Sequence, residues 1–273
     1  MIELFTYWYM FPIAVIIATI AMMAGIGGAL FFSPLFLVGL NLEPKLALAT
    51  SLFIEFFGFS SGVIGYLRAK SVNFYIVKKT AFLVIVSSFL GVIFASYVPV
   101  IFLKSLLILL LLYLSFKFLT GKKKCKKFCY EKEYDDSKGN SNIELKSYHY
   151  PIFVFASLLL GMISSGLGEI NEYLFLKKFK MSSNFASGTS VFLIAIAAIS
   201  GVLTHLFYIF YSGESRVLLE ILPILLFSIP GVLIGAQLGV ASTAHLKTNK
   251  LELYIGLLFL IIVSITIYST FLM

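Results

Sequence analysis

The chain has 273 residues, of which 60% are hydrophobic and only 12% are charged, whereas a soluble domain carries about 25% charged residues. This composition excludes most polar enzymes, nucleic-acid-binding modules and secreted disulfide-rich domains. The net charge of +8 does not indicate a nucleic-acid partner, because the charges stand in short blocks between long apolar runs. The chain is therefore predicted to be an all-α polytopic membrane protein whose main partner is the lipid bilayer.

Eight apolar runs follow one another, each near the roughly 20 residues that a helix needs to cross a bilayer. The first, with about 33 residues, is long for one crossing and short for two. A polar stretch with eight lysines, residues 120–149, separates four runs from four and is predicted to be a solvated linker. The expected units are a first transmembrane repeat (1–119), this linker and a second transmembrane repeat (150–273). The runs cover residues 8–40, 46–66, 79–98, 101–119, 151–176, 184–211, 217–241 and 251–272.

The two halves resemble each other in three blocks that occur in the same order. Because the spacing between the paired blocks is nearly constant, they indicate an internal duplication with four helical segments in each half. The pairs are GIGGALF (25–31) with GLGEINE (166–172) at a difference of 141, ATSLFIEFFGFSSGVIGYL (49–67) with GTSVFLIAIAAISGVLTHL (188–206) at 139, and GVIFA (91–95) with GVLIG (231–235) at 140.

The distribution of basic residues distinguishes two topologies. If all eight runs cross, the two faces receive 14 and 7 Lys and Arg residues; if the first and fifth runs enter and return to the same face, the counts become 18 and 3. Cytoplasmic loops collect Lys and Arg, so the second topology is favoured. It leaves three crossings in each half, which makes the halves inverted repeats with re-entrant first segments. The linker is then cytoplasmic and both termini are outside.

Glycines in the first segment of each half predict breaks in the helix. Glycine permits sharp turns and close backbone approach, and broken backbone at membrane depth occurs where it is buried in protein or lines a wet cavity. Exposed N–H groups at such a break can bind an anion. The alternative is close packing of unbroken helices through small residues. The candidate substrate-binding glycines are Gly25, Gly27, Gly28, Gly166 and Gly168.

Two hydroxyl pairs stand at equivalent places in the segments that follow the glycines. Thr50 and Ser51 in the first half match Thr189 and Ser190 in the second. Their repetition makes them candidate donors to an anionic substrate. The alternative for each hydroxyl is a bond to a carbonyl of its own helix.

Three carboxylates at membrane depth are candidates for ion coupling. Glu55, Glu169 and Glu172 are expensive to bury in hydrocarbon, and such groups mark functional sites by default. Glu172 has an alternative position near the end of its hairpin, where it would reach water. His205 is either another such group or an interfacial residue.

The pattern GIGGALFFSPLF, followed by ALATSLF and the basic YLRAKSVNF, resembles the first half of the sulfite exporter TauE/SafE family, also called TSUP. The blocks GLG, ASGTSVF and PGVLIGAQLG resemble its second half. The resemblance covers nearly the whole chain apart from residues 120–149. It implies a permease of the cytoplasmic membrane that carries small sulfur-containing anions, such as sulfite, sulfonates or sulfoacetate, and is coupled to an ion.

The chain departs from the family pattern in the second half. Glu169 and Ile170 occupy places that glycine-rich sequence would fill, and Phe175 stands where proline is usual; in the first half the departure is Ala29. Carboxylates at an anion site repel the substrate unless they are protonated or paired. A transporter or channel for a different small solute is therefore the alternative, with Glu169 and Glu172 marking the changed specificity.

Other functional classes lack their motifs in this sequence. No HExxH or GxxxxGK[ST] pattern occurs, so neither an enzyme nor an ATP-driven pump is expected. No cofactor and no metal site are expected, because Cys125 and Cys129 lack further ligands nearby. The favoured function is secondary transport of a small anion by alternating access, by a monomer or a homo-oligomer.

Overall fold

The computed structural model describes residues 3–120, 145–179, 181–212 and 215–243, together with positions 257, 260, 261, 263, 264 and 267. Most of the linker, with Cys125 and Cys129, and most of the last apolar run lie outside the described residues. Within the described part, the secondary structure is helical and no strand occurs. The all-α prediction is confirmed.

Nine α-helices occur among the described residues. Two of them, α2 and α7, are short, and each continues into a five-residue π-helical turn, Leu35–Gly39 and Leu174–Lys178. The helices are α1 (Met10–Ala24), α2 (Ala29–Pro34), α3 (Pro44–Arg68), α4 (Phe74–Tyr97), α5 (Val100–Thr120), α6 (Tyr150–Ile163), α7 (Leu167–Tyr173), α8 (Ser183–Ser212) and α9 (Ser215–Thr243).

Four helices in the described part are long and apolar enough to cross a membrane. They correspond to the spans Leu46–Arg68, Phe74–Ala95, Asn184–Phe207 and Ile221–Ser242. Shorter apolar helices, which include α1 and α6, accompany them. The chain is a multi-pass membrane protein.

The first segments of the two halves correspond at a difference of 139 residues. The π-helical turn beginning at Leu35 matches the one beginning at Leu174, and the left-handed residue that ends α1, Gly25, matches the left-handed Ser164 that ends α6. The predicted alignment at 141, which paired Gly25 with Gly166, is therefore wrong by two residues. The predicted alignment matched glycine with glycine, whereas in the second half a serine, Ser164, adopts the left-handed conformation.

The first segment reverses direction at its glycines. Both α1 and α3 run parallel to α9, so they run in the same direction, while α2 between them runs antiparallel to α3. The contacts that fix these directions are Phe11–Gly231 and Thr19–Gly239 for α1, Gly58–Val232 and Gly65–Val240 for α3, and Gly27–Glu55 and Ser33–Ser51 for α2.

Helices α3 and α8, which correspond at 139 residues, cross each other in antiparallel directions. A Cβ on Gly62 would lie 3.4 Å from Val191 Cγ1, and a Cβ on Gly201 would lie 2.6 Å from Leu52 Cδ2. Gly62 and Gly201 are equivalent, and so are Leu52 and Val191, so the same contact occurs twice. Likewise α9 packs on α1 and α3, while α4 packs on α6 and α8.

A ladder of three glycines joins α9 to α1. Gly231, Gly235 and Gly239 are spaced by four residues, so they lie on one face of α9. Cβ atoms added to Gly231 and Gly239 would each lie 2.6 Å from a backbone oxygen of α1, and one on Gly235 would contact the Val15 carbonyl more closely still. Small residues let membrane helices approach to backbone contact in this way.

Gly235→Ala is expected to lower the free energy of unfolding by about 1–3 kcal/mol, the usual cost of overpacking. The added methyl group meets the Val15 backbone, which cannot move aside as a side chain would. The apparent melting temperature in detergent measures the effect. The control is Gly39→Ala, where the nearest atom is the flexible end of Leu35 at 3.4 Å; equal melting temperatures for the two variants would contradict the close α1–α9 contact.

Candidate functional site

The first break interrupts the chain between α1 and α2. Gly25 ends α1 with φ 62° and ψ 25°, a left-handed conformation that glycine adopts at little cost. Gly28 then starts α2 with helical dihedral angles. Ile26 between them is fully buried, so the break is enclosed by protein.

The second break lies between α6 and α7 and contains two residues with positive φ. Ser164 has φ 56° and Gly166 has φ 116°. The Ser164 hydroxyl donates to the carbonyl of Leu48 on α3 at 2.7 Å. This bond fixes the second break to a helix of the first half.

The two breaks meet at Gly168, in the first turn of α7. A Cβ added there would lie 3.1 Å from the Gly27 nitrogen and 3.2 Å from the Gly25 oxygen. Gly168 is therefore required for the backbones of the two halves to touch. The Ser190 hydroxyl on α8 lies 3.3 Å from the carbonyl oxygens of both Gly25 and Gly168, which share its single hydrogen.

Glu169 binds both breaks through its carboxylate. Oε1 accepts from the N–H of Gly27 at 2.8 Å, and Oε2 accepts from the N–H of Gly166 at 2.8 Å. The second bond caps the short helix α7. The predicted anion donors at Gly27 and Gly166 are thus occupied by a carboxylate of the protein itself, and the side chain is 1% exposed.

Glu55 on α3 faces Glu169 across Gly27. A Cβ on Gly27 would lie 2.9 Å from Glu55 Oε1 and 3.1 Å from Glu169 Oε1. The Glu55 carboxyl points towards the backbone N–H groups of Gly28 and Ala29. Neither oxygen has a hydrogen-bond partner with good geometry among the described residues, although the side chain is only 2% exposed.

Glu172 approaches the first break from α7. Its Oε1 accepts from the Ser187 hydroxyl at 3.2 Å, and its Oε2 lies 2.8 Å from the position of a Cβ on Gly25. The side chain is 8% exposed, so the predicted alternative, a residue that reaches water, does not describe it.

Within each hydroxyl pair the serine and the threonine contact different groups. The serines contact residues of the broken segments, and the threonines do not. The Ser51 hydroxyl lies 2.8 Å from the Ser33 hydroxyl of α2 and also donates to Leu48 O of its own helix at 2.8 Å, while Ser190 bonds to Gly25 and Gly168. Thr50 instead donates to Leu46 O of its own helix at 2.7 Å. Thr189 accepts from the N–H of Asn73, before α4, at 2.9 Å. The two threonine hydroxyls therefore bond away from the breaks, since adjacent helical residues point to different sides, and a role for them in substrate binding stays a prediction.

Several polar residues near the breaks were not predicted. Ser33, Ser164 and Ser187 make the contacts described above, while the side-chain polar atoms of Ser165 and Asn171 are buried with no hydrogen-bond partner among the described residues. The sequence contained a signal for two of them, because the serine pair Ser164–Ser165 directly precedes GLGE. Ser33 stands singly in an apolar run, whereas Ser187 and Asn171 have polar neighbours in the sequence.

A cavity of about 360 Å³ lies beside the second break, between α5, α6 and α7. Glu169 is the charged residue in its wall, which is otherwise formed by aliphatic and aromatic side chains. Within the described part of the chain, no three His, Cys, Asp or Glu side chains are grouped to hold a metal ion. The chemistry of the site is therefore that of carboxylates, hydroxyls and backbone amides.

Comparison with known proteins identifies the family to which the chain is similar. A family model described as "Sulfite exporter TauE/SafE" matches residues 10–266. No curated protein and no solved structure matches the chain.

Proposed function

The chain belongs to the sulfite exporter TauE/SafE family, and on that premise we propose that it is a secondary transporter that moves sulfite or a sulfonate across the cell membrane by ion-coupled alternating access. Membership implies membrane transport of sulfite-type anions. The proposed parts are the direct role of the two breaks in binding and the coupling to an ion.

The observation that carries the proposal is the meeting of two broken segments at a buried point. The Gly27 amide, the Ser190 hydroxyl and the Gly168 backbone lie together there. Amide and hydroxyl donors bind oxyanions without a buried cation, and discontinuous helices are where secondary transporters bind solutes. The binding residues proposed are Gly25, Gly27, Gly166, Gly168, Ser51 and Ser190.

An inverted repeat is part of the proposal. The antiparallel crossing of α3 and α8, with its repeated Gly62–Val191 and Gly201–Leu52 contacts, supports two halves of opposite orientation. If two such halves exchange their conformations, the states open to the inside and to the outside have similar energies. A site between the halves can therefore open to either side. The direct contact between the breaks supports a carrier over a channel, which needs a continuous pore.

Flux of labelled sulfite into proteoliposomes tests the function. We expect saturable uptake that increases with an imposed pH gradient. Ser190→Ala is expected to reduce the rate about tenfold, because it removes the hydroxyl donor at the point where the two breaks meet and a net hydrogen bond is worth about 1 kcal/mol. The matched control is Ser105→Ala, a partly exposed serine that bonds within α5. Absence of saturable flux for sulfite and for every sulfonate tried would refute the proposal.

The orientation of the chain is also a proposal. The linker 120–149 is placed in the cytoplasm and both termini outside, because the linker face carries 18 of the 21 basic residues. Cys125 and Cys129 are the two cysteines of the chain, which makes thiol labelling specific for this segment. A membrane-impermeant maleimide is expected to label them in inside-out vesicles and not in intact cells. Labelling of intact cells would reverse the orientation.

A further inference from the structure

The helices group into two bundles that do not coincide with the two sequence halves. Helix α9 of the second half packs against α1 and α3 of the first, and α4 of the first half packs against α6 and α8 of the second. The short helices join the same groups, because Ser33 of α2 bonds to Ser51 of α3 and Ser187 of α8 donates to Glu172 of α7. The first bundle is therefore α1, α2, α3 and α9, and the second bundle is α4, α6, α7 and α8.

Within each bundle, glycines bring helix backbones into direct contact. In the second bundle, a Cβ on Gly91 of α4 would meet the Leu158 carbonyl of α6, and a Cβ on Gly161 of α6 would meet the Ser88 carbonyl of α4. The glycine ladder of α9 makes the corresponding contact with α1 in the first bundle. Because a backbone carbonyl has no rotamers by which it can move aside, these interfaces hold their helices together as one body.

Side-chain hydrogen bonds join the two sequence halves inside each bundle. In the first bundle, the Ser61 hydroxyl of α3 donates to Leu233 O of α9 at 3.0 Å. In the second bundle, the Ser88 hydroxyl of α4 donates to Ala197 O of α8 at 3.0 Å. Each bundle is therefore fastened across the halves by backbone contacts and by hydrogen bonds.

The crossing of α3 and α8, which joins the bundles, is packed by side chains. Cβ atoms on Gly62 and Gly201 would there meet the flexible ends of side chains, Val191 Cγ1 at 3.4 Å and Leu52 Cδ2 at 2.6 Å. Side-chain ends can change rotamer, and packed helices shift past one another by small shear motions. This interface can therefore move where the glycine contacts inside the bundles cannot.

Hydrogen bonds between the bundles are found at the breaks. The N–H of Gly27 in the first bundle donates to Glu169 of the second at 2.8 Å. The hydroxyl of Ser164 in the second break donates to Leu48 O of α3 at 2.7 Å. A movement of one bundle relative to the other therefore acts directly on the proposed anion site.

Residues 69–72 carry the chain from the first bundle to the second. Before them, the Tyr66 hydroxyl donates to a carbonyl of α1 at 2.8 Å; after them, the N–H of Asn73 donates to the Thr189 hydroxyl of α8 at 2.9 Å. The connection is thus anchored to a different bundle on each side, and it contains Lys70 in the left-handed conformation with φ 53°. A few residues between anchored elements can absorb the change in dihedral angles at a hinge.

We propose that the moving bodies of this transporter are the two bundles and not the two sequence halves, with the α3–α8 crossing as the sliding surface and residues 69–72 as a hinge. The inference rests on the proposed function and specifies its conformational change. Each break stays with its own bundle. In every transport cycle the contacts inside the bundles persist, while the α3–α8 contact and the hydrogen bonds at the breaks change.

A cysteine pair inside the first bundle tests whether the halves move apart. Cys125→Ser and Cys129→Ser first remove the two native thiols. Gly58→Cys on α3 is then combined with Val232→Cys on α9, because a Cβ on Gly58 would lie 3.3 Å from Val232 Cβ, close to the spacing of a disulfide. This bridge links the two sequence halves but lies within one bundle.

A second cysteine pair links the two bundles across the α3–α8 crossing. Gly62→Cys on α3 is combined with Val191→Cys on α8, where the new sulfur can take the place of Val191 Cγ1, 3.4 Å from the added Cβ. The equivalent pair, Leu52→Cys with Gly201→Cys, lies on the opposite side of the crossing. Both bridges are expected to prevent the bundles from moving.

Uptake of labelled methanesulfonate into proteoliposomes is measured for each pair in the reduced, the oxidised and the re-reduced protein. Methanesulfonate is used because sulfite cleaves disulfides; if only sulfite is carried, it is used with thiol titration after the assay to count the intact bridges. The bridge between α3 and α9 is expected to leave uptake within about twofold of the reduced protein, and the bridge between α3 and α8 to lower it at least about tenfold and reversibly.

The outcomes distinguish this inference from the proposed function. Loss of uptake when α3 is bridged to α9, or full uptake when α3 is bridged to α8, overturns the inference and leaves anion transport intact, because the reduced proteins still carry the anion. A within-bundle pair that does not fold or bridge is replaced by Gly65→Cys with Val240→Cys, whose Cβ atoms would lie 3.2 Å apart. Absence of methanesulfonate and sulfite uptake by the natural sequence refutes both.

Discussion

Gly25→Ala is expected to lower the free energy of unfolding by about 2–4 kcal/mol. Part of the cost is conformational, because an L-residue with φ near 62° is strained by about 1–2 kcal/mol. The remainder is steric, because the new Cβ would lie 2.8 Å from Glu172 Oε2 and 2.9 Å from Ser187 Cα, and overpacking costs about 1–3 kcal/mol. The apparent melting temperature in detergent should fall by roughly 5–10 °C.

Gly28→Ala provides the comparison within the same motif. Gly28 has φ −65°, and the nearest atom to an added Cβ is Ala21 Cβ at 3.8 Å. Alanine there fits without strain and reduces the entropy of the unfolded chain, so stability is expected to stay the same or to rise by up to about 1 kcal/mol. If the two variants melted alike, the described break would be wrong.

Glu55→Met is expected to stabilise the protein by about 1–3 kcal/mol, since the buried Glu55 carboxyl has no hydrogen bond of good geometry among the described residues and such a group costs about that much. Methionine has a similar length and adapts to irregular space. The same variant is expected to lose flux driven by a pH gradient, because Glu55 is one of the carboxylates proposed for ion coupling. Stability gained at the expense of activity is usual for residues kept for function.

Thermal melting tests the expected gain in stability of Glu55→Met, and proteoliposome flux tests its expected loss of transport. Both are measured on one preparation. Glu43→Met is the control, because that side chain is exposed and its replacement should change neither quantity. A lower melting temperature for Glu55→Met would mean that the carboxyl is stabilised by a partner, and would contradict the prediction.

The fold class was predictable from composition, because a chain with so few charged residues cannot cover a water-facing surface. The glycine pattern also located the first break correctly, since Gly25 has the left-handed conformation that only glycine adopts cheaply. The second break was misaligned, because Ser164 takes that conformation despite its Cβ and is stabilised there by its bond to Leu48. A tertiary hydrogen bond of this kind leaves no mark on local sequence.

The separate roles of neighbouring residues were beyond sequence reasoning. Thr50 and Ser51 are adjacent and equally buried, but only the direction of each side chain decides which one reaches α2. Glu169 was recognised as a carboxylate near the site. That it would accept from an amide of the opposite half depends on the contact at Gly168, which joins segments 142 residues apart and has no local pattern.

The glycine ladder between α9 and α1 has a consequence for how the chain is divided. The first helix of the first half lies against a helix of the second half, and α6 in turn lies against α4 of the first. Helices of each sequence half therefore pack against helices of the other half, and neither half alone forms a complete hydrophobic core. If the chain were cut between residues 121 and 144, each fragment would expose the surface that normally packs against the other fragment. The two fragments are therefore expected to fold together as a complex and not as independent domains.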